Sequence, residues 1–402
     1  MSINVLQLIG SFNQGGSERQ AVQLTRLLRE DGRFNVLVAT LDSSGPLGSQ
    51  VRRLGLNDVP EYPLTSFYDR NAVAQMKRFV KYLKQSDIHV VHAHDFYTNI
   101  FGMTASSLAR VPVRIASRRE SSVRVARQRF VERGAYKLAQ KVVANCDEVR
   151  LQLIAEGVSA AKVTTLYNGL ELSSFVQNKD NDRNELLRSL RLPVDVPRRF
   201  ITIVANLRAH FQEPTPVCLK DHPTFLRAAR RVREAIPDAA FVIAGEGEML
   251  DDTRKLAAQL GIEQETFFLG RCENVPALLS ASFACVLSST AEGFSNSILE
   301  YMAAGRPVVA TRVGGAAEAI EEGISGSLVN AGDDESMAER LIRLLSNSTK
   351  AEEMGRRGRE IVREKFSSEA QLRRTTNLYD ELLNRQSREL VGAVGSARRG
   401  SA

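Results

Sequence analysis

Tryptophan is missing altogether, and phenylalanine and tyrosine together supply only 6% of the 402 residues. Proteins that hold nucleic acid without sequence preference stack bases on aromatic rings, and RNA-binding sheets carry an aromatic signature run. Neither is found here, so nucleic acid is excluded as a partner despite a net charge of +7. Cysteine is sparse: Cys146, Cys218, Cys272 and Cys285 are scattered without C-x-x-C spacing. That excludes a disulfide framework and structural zinc. No run of about 20 apolar residues occurs, so no membrane-spanning helix is expected. The opening MSINVLQLIGS lacks the basic leader and cleavage site of a secretory signal, and the expected location is the cytoplasm. With 43% apolar and 25% charged residues the chain reads as globular. Its length exceeds one ordinary core, which points to two domains of roughly 180 residues each.

The most informative stretch is 286–315, VLSSTAEGFSNSILEYMAAGRPVVATRVGG. An apolar run ends at Ser288-Ser289, a turn carries Glu292-Gly293-Phe294-Ser295-Asn296, and Ile298, Leu299, Met302 and Ala303 recur with helical period. A second apolar run from Pro307 to Ala310 leads to Gly314-Gly315. Strand, loop, helix and strand in this order belong to a parallel α/β sheet, whose ligands bind at the carboxyl ends of strands. Gly293 permits close approach, and the amides of Phe294 to Ser297 open a helix, which suits a phosphate. Glu292 and Glu300 flank that place. A carboxylate beside a phosphate makes sense when it accepts hydrogen bonds from hydroxyls, sugar at one end of the ligand and ribose at the other.

Glu292 and Glu300, with seven residues between them inside EGFSNSILEYMAAGRPVVAT, resemble the E-x7-E element of retaining glycosyltransferases of family 4. The resemblance implies the GT-B architecture, two Rossmann-like doubly wound parallel-sheet domains facing a cleft. The acceptor would lie in the N-terminal domain and the nucleotide sugar in the C-terminal one.

Read from the start, Ile3 to Ile9 forms a strand running into Gly15-Gly16 and a helix, with Ser17 and Gln20 spaced as a capping box. Gly15-Gly16-Ser17-Glu18 resembles the family's GG-x-E element, which implies a place across the cleft from the donor diphosphate. In the strand from Ile88, His92 and His94 share a face, and His94 with Asp95 falls at the strand end, as acceptor-pocket residues or as a structural pair. The strand Val111 to Ala116 ends in Ser117-Arg118-Arg119-Glu120, where many relatives carry a histidine against the transferred sugar. Arg119 stands in the matching place and, as an always-charged group, holds anions better than it moves protons. From Arg110 to Lys141 basic residues crowd among Val123, Phe130, Val131 and Leu138, as in a helix lying on an anionic membrane or one whose arginines pair locally. Tyr167-Asn168-Gly169 resembles the family's p-N-G loop, which gives Asn168 a place on the acceptor side.

Residues 178–199 are polar, contain Pro193 and Pro197, and read as the linker between a domain over 1–178 and one over 198–366. Asp180-Asn181-Asp182 matches a D-x-D metal motif only superficially, as no strand leads into it. After Asn206-Leu207-Arg208 the family places a lysine within a few residues, and the pair implies a grip on the donor diphosphate. Here Ala209 to Leu219 intervenes before Lys220, as a lid or as a displacement of that lysine. Gly245-Glu246-Gly247 lacks the third glycine of a dinucleotide fingerprint. Arg271, after Phe267 to Gly270, falls where the family places the nucleotide base, and Glu318 resembles its G-G-x-x-E. The segment 367–388 is expected to cross back to the first domain, and 389–402 to be a disordered tail.

The resemblance thus implies a retaining, metal-independent hexosyltransferase without a cofactor. Glu292, Arg208 and Lys220 would carry catalysis. Gly15, Gly16, Gly293, Phe294, Ser295, Asn296, Glu300 and Arg271 would hold the donor. His94, Asp95, Arg119 and Asn168 would line the acceptor side, with a UDP-sugar favoured as donor and a lipid-linked or polysaccharide acceptor. A nucleotide-sugar epimerase of the same fold, or a catalytically silent binding protein, is the alternative.

Overall fold

The computed structural model describes residues 3–121, 125–175, 183–194, 198–212 and 215–399. The chain divides into two compact units, Met1–Gly169 together with Ser368–Ala402, and Leu170–Ser367.

The first unit is built on β1 (Ile3–Ile9), β2 (Phe34–Thr40), β3 (Val90–Ala93), β4 (Val113–Arg118), β5 (Lys141–Ala144) and β6 (Val163–Thr165). They form one parallel sheet in the order β2-β1-β3-β4-β5-β6. The second unit contains β7 (Arg199–Val204), a hairpin of β8 (His210–Gln212) and β9 (Thr215–Val217), then β10 (Ala239–Ala244), β11 (Thr266–Gly270), β12 (Ala284–Leu287), β13 (Val308–Thr311) and β14 (Gly326–Val329). Apart from the hairpin, these strands make a second parallel sheet, β11-β10-β7-β12-β13-β14. In each sheet the first strand has sequence neighbours running away on one side and later strands on the other. The reversal lies between β1 and β3 in the first unit and between β7 and β12 in the second. These are the switch points outside which doubly wound sheets bind ligands.

Helices cover both faces of the second sheet, which is why its strands are apolar throughout. In β10 all six residues of AAFVIA are buried. Phe241 and Ile243 pack with Phe225, Val232 and Leu341, while Ala240 and Val242 pack with Phe200 and Leu278 on the other face. In the first unit Val5, Val36, Val90 and Ile115 meet Leu24 and Leu28. The final helix, Ser368–Arg399, adds Leu378, Tyr379 and Leu382 to that core, each contributing roughly 1.5–3 kcal/mol by the area it removes from water.

Several expectations need correcting. Gly15, not Ser17, caps the first helix, Gly16–Asp31, without a side-chain bond; Gln20 is drawn away to donate to the Gly169 carbonyl at 3.0 Å. The second unit begins at Leu170, and much of the stretch read as linker is structured. A helix, Arg183–Ser189, lies within it, and Leu187 and Leu192 are buried against Phe200 and Val242. The charged residues around these leucines masked their apolar character. Asp180-Asn181-Asp182 lies outside the described residues. The final helix runs to Arg399, past the point near 388 where a tail was expected to begin.

Candidate active site

In the second unit, the loops leaving β7, β10, β12 and β13 are tied to one another by backbone. Leu207 N donates to Glu246 O, and Met249 N to Leu207 O, both at 2.9 Å. Gly247 holds φ +153, and a Cβ there would lie 2.3 Å from the Leu207 backbone. Between the loops after β12 and β13, Gly315 N donates to Gly293 O at 2.8 Å. Gly314 is left-handed at φ +54, and a Cβ on it would come within 2.2 Å of Gly293 O and 2.4 Å of Glu292 O. Only glycine fits, so the apposed glycines press the Glu292 turn into place.

The helix Asn296–Ala303 is clamped to the end of β7. Val204 N donates to the Tyr301 hydroxyl at 2.7 Å, and Ser297 Oγ donates to Val204 O at 2.9 Å. Its N-cap, Ser295, makes no side-chain capping bond, and Glu300 is buried one turn in. Glu292 is 12% exposed and Lys220 24%. Lys220 Nζ donates to Glu292 Oε1 at 2.5 Å, and Ser289 Oγ donates to the same oxygen at 2.7 Å. The inserted stretch forms the β8–β9 hairpin without carrying Lys220 off. Ser288 Oγ donates to Lys220 O and Thr290 N to Leu219 O, each at 2.8 Å, so the lysine is docked on the loop after β12.

Arg208 is exposed on the loop after β7. Arg271 follows β11 with its Nε 3.9 Å from Glu246 Oε1, beside a pocket of about 950 Å³ along the edge strand that Arg254, Phe267 and Asn274 also line. Phe294 is corrected in part. Its ring is buried against Phe366 at 5.1 Å, so only its backbone is placed to meet a ligand.

In the first unit, a second group of residues gathers where β3, β4, β5 and β6 end. His92 is buried between the Tyr379 hydroxyl and Ser117 Oγ, 2.8 Å from each, and stacks on His94 with ring centres 4.4 Å apart. His94 Nε2 lies 2.7 Å from Gln7 Oε1. Because that oxygen only accepts, Nε2 carries the proton and Nδ1 presents a lone pair to Arg119 at 3.4 Å. Burial holds both imidazoles neutral: His92 is pushed down to about 3, and His94 falls well below its ordinary range, with Arg119 adding to each. Asp95 caps the helix Phe96–Ala109 through a capping box with Thr98, and burial raises its pKa. Arg119 donates to Asn168 Oδ1 at 3.0 Å. Gly16, His94, Asp95 and Arg119 line one cavity of about 240 Å³, whereas Gly15 caps the first helix beside it.

Arg118 also lines that cavity, but it is paired with Glu156 at 2.5 Å. Arg114 bonds the carbonyls of Val111 and Leu138. The basic segment therefore contributes to the surface mainly through the helix Ala126–Leu138, where Arg127, Arg129, Arg133 and Lys137 are exposed. Phe130 is 80% exposed there. Val123 and Arg124 lie outside the described residues. Sequence reading missed Ser289, Gln7 and Tyr379 as site-building residues. Gln7 had a signal, a polar residue amid the apolar run of β1 that is buried beneath the site. Tyr379 had none, because its partners lie hundreds of positions away.

Two family models match successive parts of the chain: "Glycosyltransferase Family 4" over residues 14–174 and "Glycosyl transferases group 1" over residues 218–361. N-acetyl-alpha-D-glucosaminyl L-malate synthase of Bacillus anthracis is 34% identical over 171 residues, 40% of this chain and 45% of that protein. The putative glycosyltransferase EpsD of Bacillus subtilis is 30% identical over 42% of this chain and 44% of its own. The chain thus spans less than half the length of these curated relatives. UDP-Gal:alpha-D-GlcNAc-diphosphoundecaprenol alpha-1,3-galactosyltransferase of Escherichia coli is 27% identical over 66% of this chain and 68% of its own. Among solved structures, HepE of Anabaena in complex with UDP superposes with a TM-score of 0.82 at 19% identity, over 94% of this chain and all of that one. Sucrose-phosphate synthase of Thermosynechococcus elongatus gives 0.75 at 19% identity, over 95% and 99%. At that identity the likeness shows the fold, and the fold is GT-B. With a family 4 region on one sheet and a group 1 region on the other, the chain belongs to the bacterial-type group 1 glycosyltransferases of family 4.

Proposed function

We propose that the protein is a retaining, metal-independent glycosyltransferase that moves a hexosyl unit from a nucleotide diphosphate sugar to a lipid-linked or polysaccharide acceptor. The observation that carries this reading is the Lys220–Glu292 contact at the β7/β12 switch point, beside the clamped helix Asn296–Ala303. A diphosphate arriving there draws Lys220 to itself, with Arg208 as a second cation, and each charge-assisted hydrogen bond contributes about 1.5–3 kcal/mol. Glu292, relieved of the ammonium, then accepts from sugar hydroxyls. The two cations stabilise the departing nucleotide, so no metal is needed. No second carboxylate is assigned to the sugar, and the reading is same-face attack with the leaving phosphate oxygen taking the acceptor's proton.

A UDP-sugar is favoured because the similar HepE structures hold UDP and UDP-glucose and the Escherichia coli relative is named for UDP-Gal. A lipid-linked acceptor is in keeping with that relative's diphosphoundecaprenol substrate. The exposed Phe130 among Arg127, Arg129 and Arg133 supports contact with an anionic membrane surface. Co-sedimentation with phosphatidylglycerol vesicles, compared with phosphatidylcholine and with Phe130→Ser, tests that contact.

The primary test is a thermal-shift screen of UDP-, GDP- and ADP-sugars on wild type and Glu292→Ala. A shift with one nucleotide sugar that weakens in the variant is expected, and no shift with any of them points to a silent binding protein. Proton NMR of the first product then reads the anomer. An inverted anomer, or activity abolished by EDTA, would overturn the corresponding part of the reading.

A further inference from the structure

The cavity in the first unit contains a guanidinium that enters no ion pair among the described residues, although carboxylates line the same space. Arg119 follows directly after β4 and is largely enclosed. Its two described side-chain contacts are neutral, the Asn168 amide oxygen at 3.0 Å and the unprotonated His94 nitrogen at 3.4 Å. Its Nε is buried and makes no hydrogen bond. Among the described residues Arg119 enters no ion pair, while its neighbour Arg118 pairs with Glu156. Its backbone is fixed as well, for Asn145 Nδ2 donates to the Arg119 carbonyl at 2.9 Å and leaves its own Oδ1 unpartnered. Burying a cation without a counter-charge is costly, and the anionic group of a ligand at this strand end would offset that cost.

The rest of the cavity narrows the choice. Glu18, Asp95, Glu120 and Glu132 also line it, with Arg118, which is already paired with Glu156. A bare anion would be repelled by that wall, and a neutral sugar would leave Arg119 unmatched. A molecule carrying both an anionic group and hydroxyls meets each wall with its complement, since hydroxyls donate to carboxylates and the anion accepts from the fork.

We propose that Arg119 receives a carboxylate or phosphate borne by a hydroxyl-rich substrate in the first unit, with Asn168 and His94 fixing the guanidinium. This deepens the glycosyltransferase reading and rests on it for the ligand's role as a substrate. The neutral His94 beside Arg119 accepts its hydrogen bond without adding positive charge that would need balancing when the site is free. Burial lowers Arg119 itself only to about 10, so it stays charged at neutral pH.

Calorimetric titration of the full chain with D-glucose, D-glucuronate and D-glucose 6-phosphate tests this. At least one of the two anions should bind tenfold or more tighter than glucose. Arg119→Gln should lower that affinity roughly ten- to hundredfold. Which anion prefers the site tells carboxylate from phosphate, and UDP-glucuronate against UDP-glucose tells an anion on the donor sugar from one on the acceptor. Glucose binding as tightly as both anions, or unchanged anion affinity in Arg119→Gln, would overturn the proposal. If that variant does not fold, a crystal of wild type soaked with the preferred anion decides. The anion within hydrogen-bond reach of Arg119 supports the assignment, and the anion seated elsewhere sinks it. UDP binding to wild type, measured alongside, reports on the glycosyltransferase reading separately. Its loss would defeat that reading while leaving the anion result intact.

Discussion

Removing the charge of Glu292 while keeping its shape, Glu292→Gln, should move UDP and UDP-sugar affinity in opposite directions. In the free protein Lys220 Nζ is bonded to Glu292 Oε1 at 2.5 Å, with the two side chains 24% and 12% exposed. Partly exposed pairs contribute about 1 kcal/mol at most. A diphosphate that claims Lys220 must first give up that contact, so without it UDP should bind up to about fivefold tighter. The sugar hydroxyls, by contrast, lose a charged acceptor, which costs about 1.5–3 kcal/mol in the transferring complex. Lys220→Met removes the cation itself and should weaken UDP roughly ten- to hundredfold. Since the residues touch, the double variant should not show the sum of the single effects. Isothermal titration with UDP and initial rates with the preferred UDP-sugar read the two quantities. Weaker UDP binding by Glu292→Gln would refute the reasoning, because it would make the carboxylate a direct support for the nucleotide and not a competitor for the lysine.

Gly314→Ala should destabilise the second unit by about 1–3 kcal/mol, because φ is +54 and a Cβ would sit 2.2 Å from Gly293 O; a lowered thermal midpoint with reduced UDP-sugar binding is expected, and an unchanged midpoint would contradict the close approach. Excising the β8–β9 hairpin in favour of a short turn should leave UDP affinity within about threefold, since Leu219 and Lys220 are docked on the loop after β12 through Thr290 and Ser288; a large loss by calorimetry would make the hairpin part of the nucleotide site. Acid should destabilise the fold early. His92 and His222 are depressed to about 3 and about 4, and His94 lies well below its usual range, all by burial. The unfolded chain therefore takes up protons near 6.5 that the folded one refuses, so stability present above that pH falls as pH drops through it towards 4. Urea midpoints at pH 7.5, 6.0 and 5.0 should decline, and His222→Gln should flatten the decline.

Strand–helix alternation made the two parallel sheets legible, because covered sheets demand nearly continuous apolar strands such as Ala239 to Ala244 and Ala284 to Leu287. The turn after β12 was legible for a related reason: small residues and glycines are required where two loops touch, as Gly314 shows against Gly293. Long-range pairing was not legible. Nothing local announces that Lys220, displaced in sequence by the hairpin, returns to Glu292 across 72 positions. Nor does any local pattern show that Tyr379 closes on Gln7 and His92. Sheet closure brings such pairs together, and the sequence records only the separate halves. Phe294 was misjudged because a ring in a glycine-rich turn reads as ligand-facing until a partner such as Phe366 covers it. The linker was misjudged because Leu187 and Leu192 are diluted among charges.

The two switch points differ in one respect that bears on chemistry. In the second unit the cation and the carboxylate neutralise one another through Lys220, Glu292 and Ser289, so the resting site carries little unbalanced charge. A ligand there must exchange partners, which favours a group such as a diphosphate that offers more charge than one carboxylate. In the first unit the described side-chain bonds of the cation go to Asn168 and a neutral His94, the acids lining the cavity form no ion pair with it among the described residues, and Asp95 is committed to a helix cap. A ligand there adds a counter-charge without displacing one, so even a singly charged anion gains. If both sites serve one reaction, the donor site should discriminate by charge number and the other by the presence of charge at all. The salt dependence of the two affinities distinguishes them. Raising ionic strength should weaken UDP binding more steeply than glucuronate or sugar-phosphate binding, because more charges are screened on the diphosphate and the Arg119 cavity is more enclosed. Equal slopes would mean that the two sites treat charge alike and that the partly buried Arg119 is not the determinant.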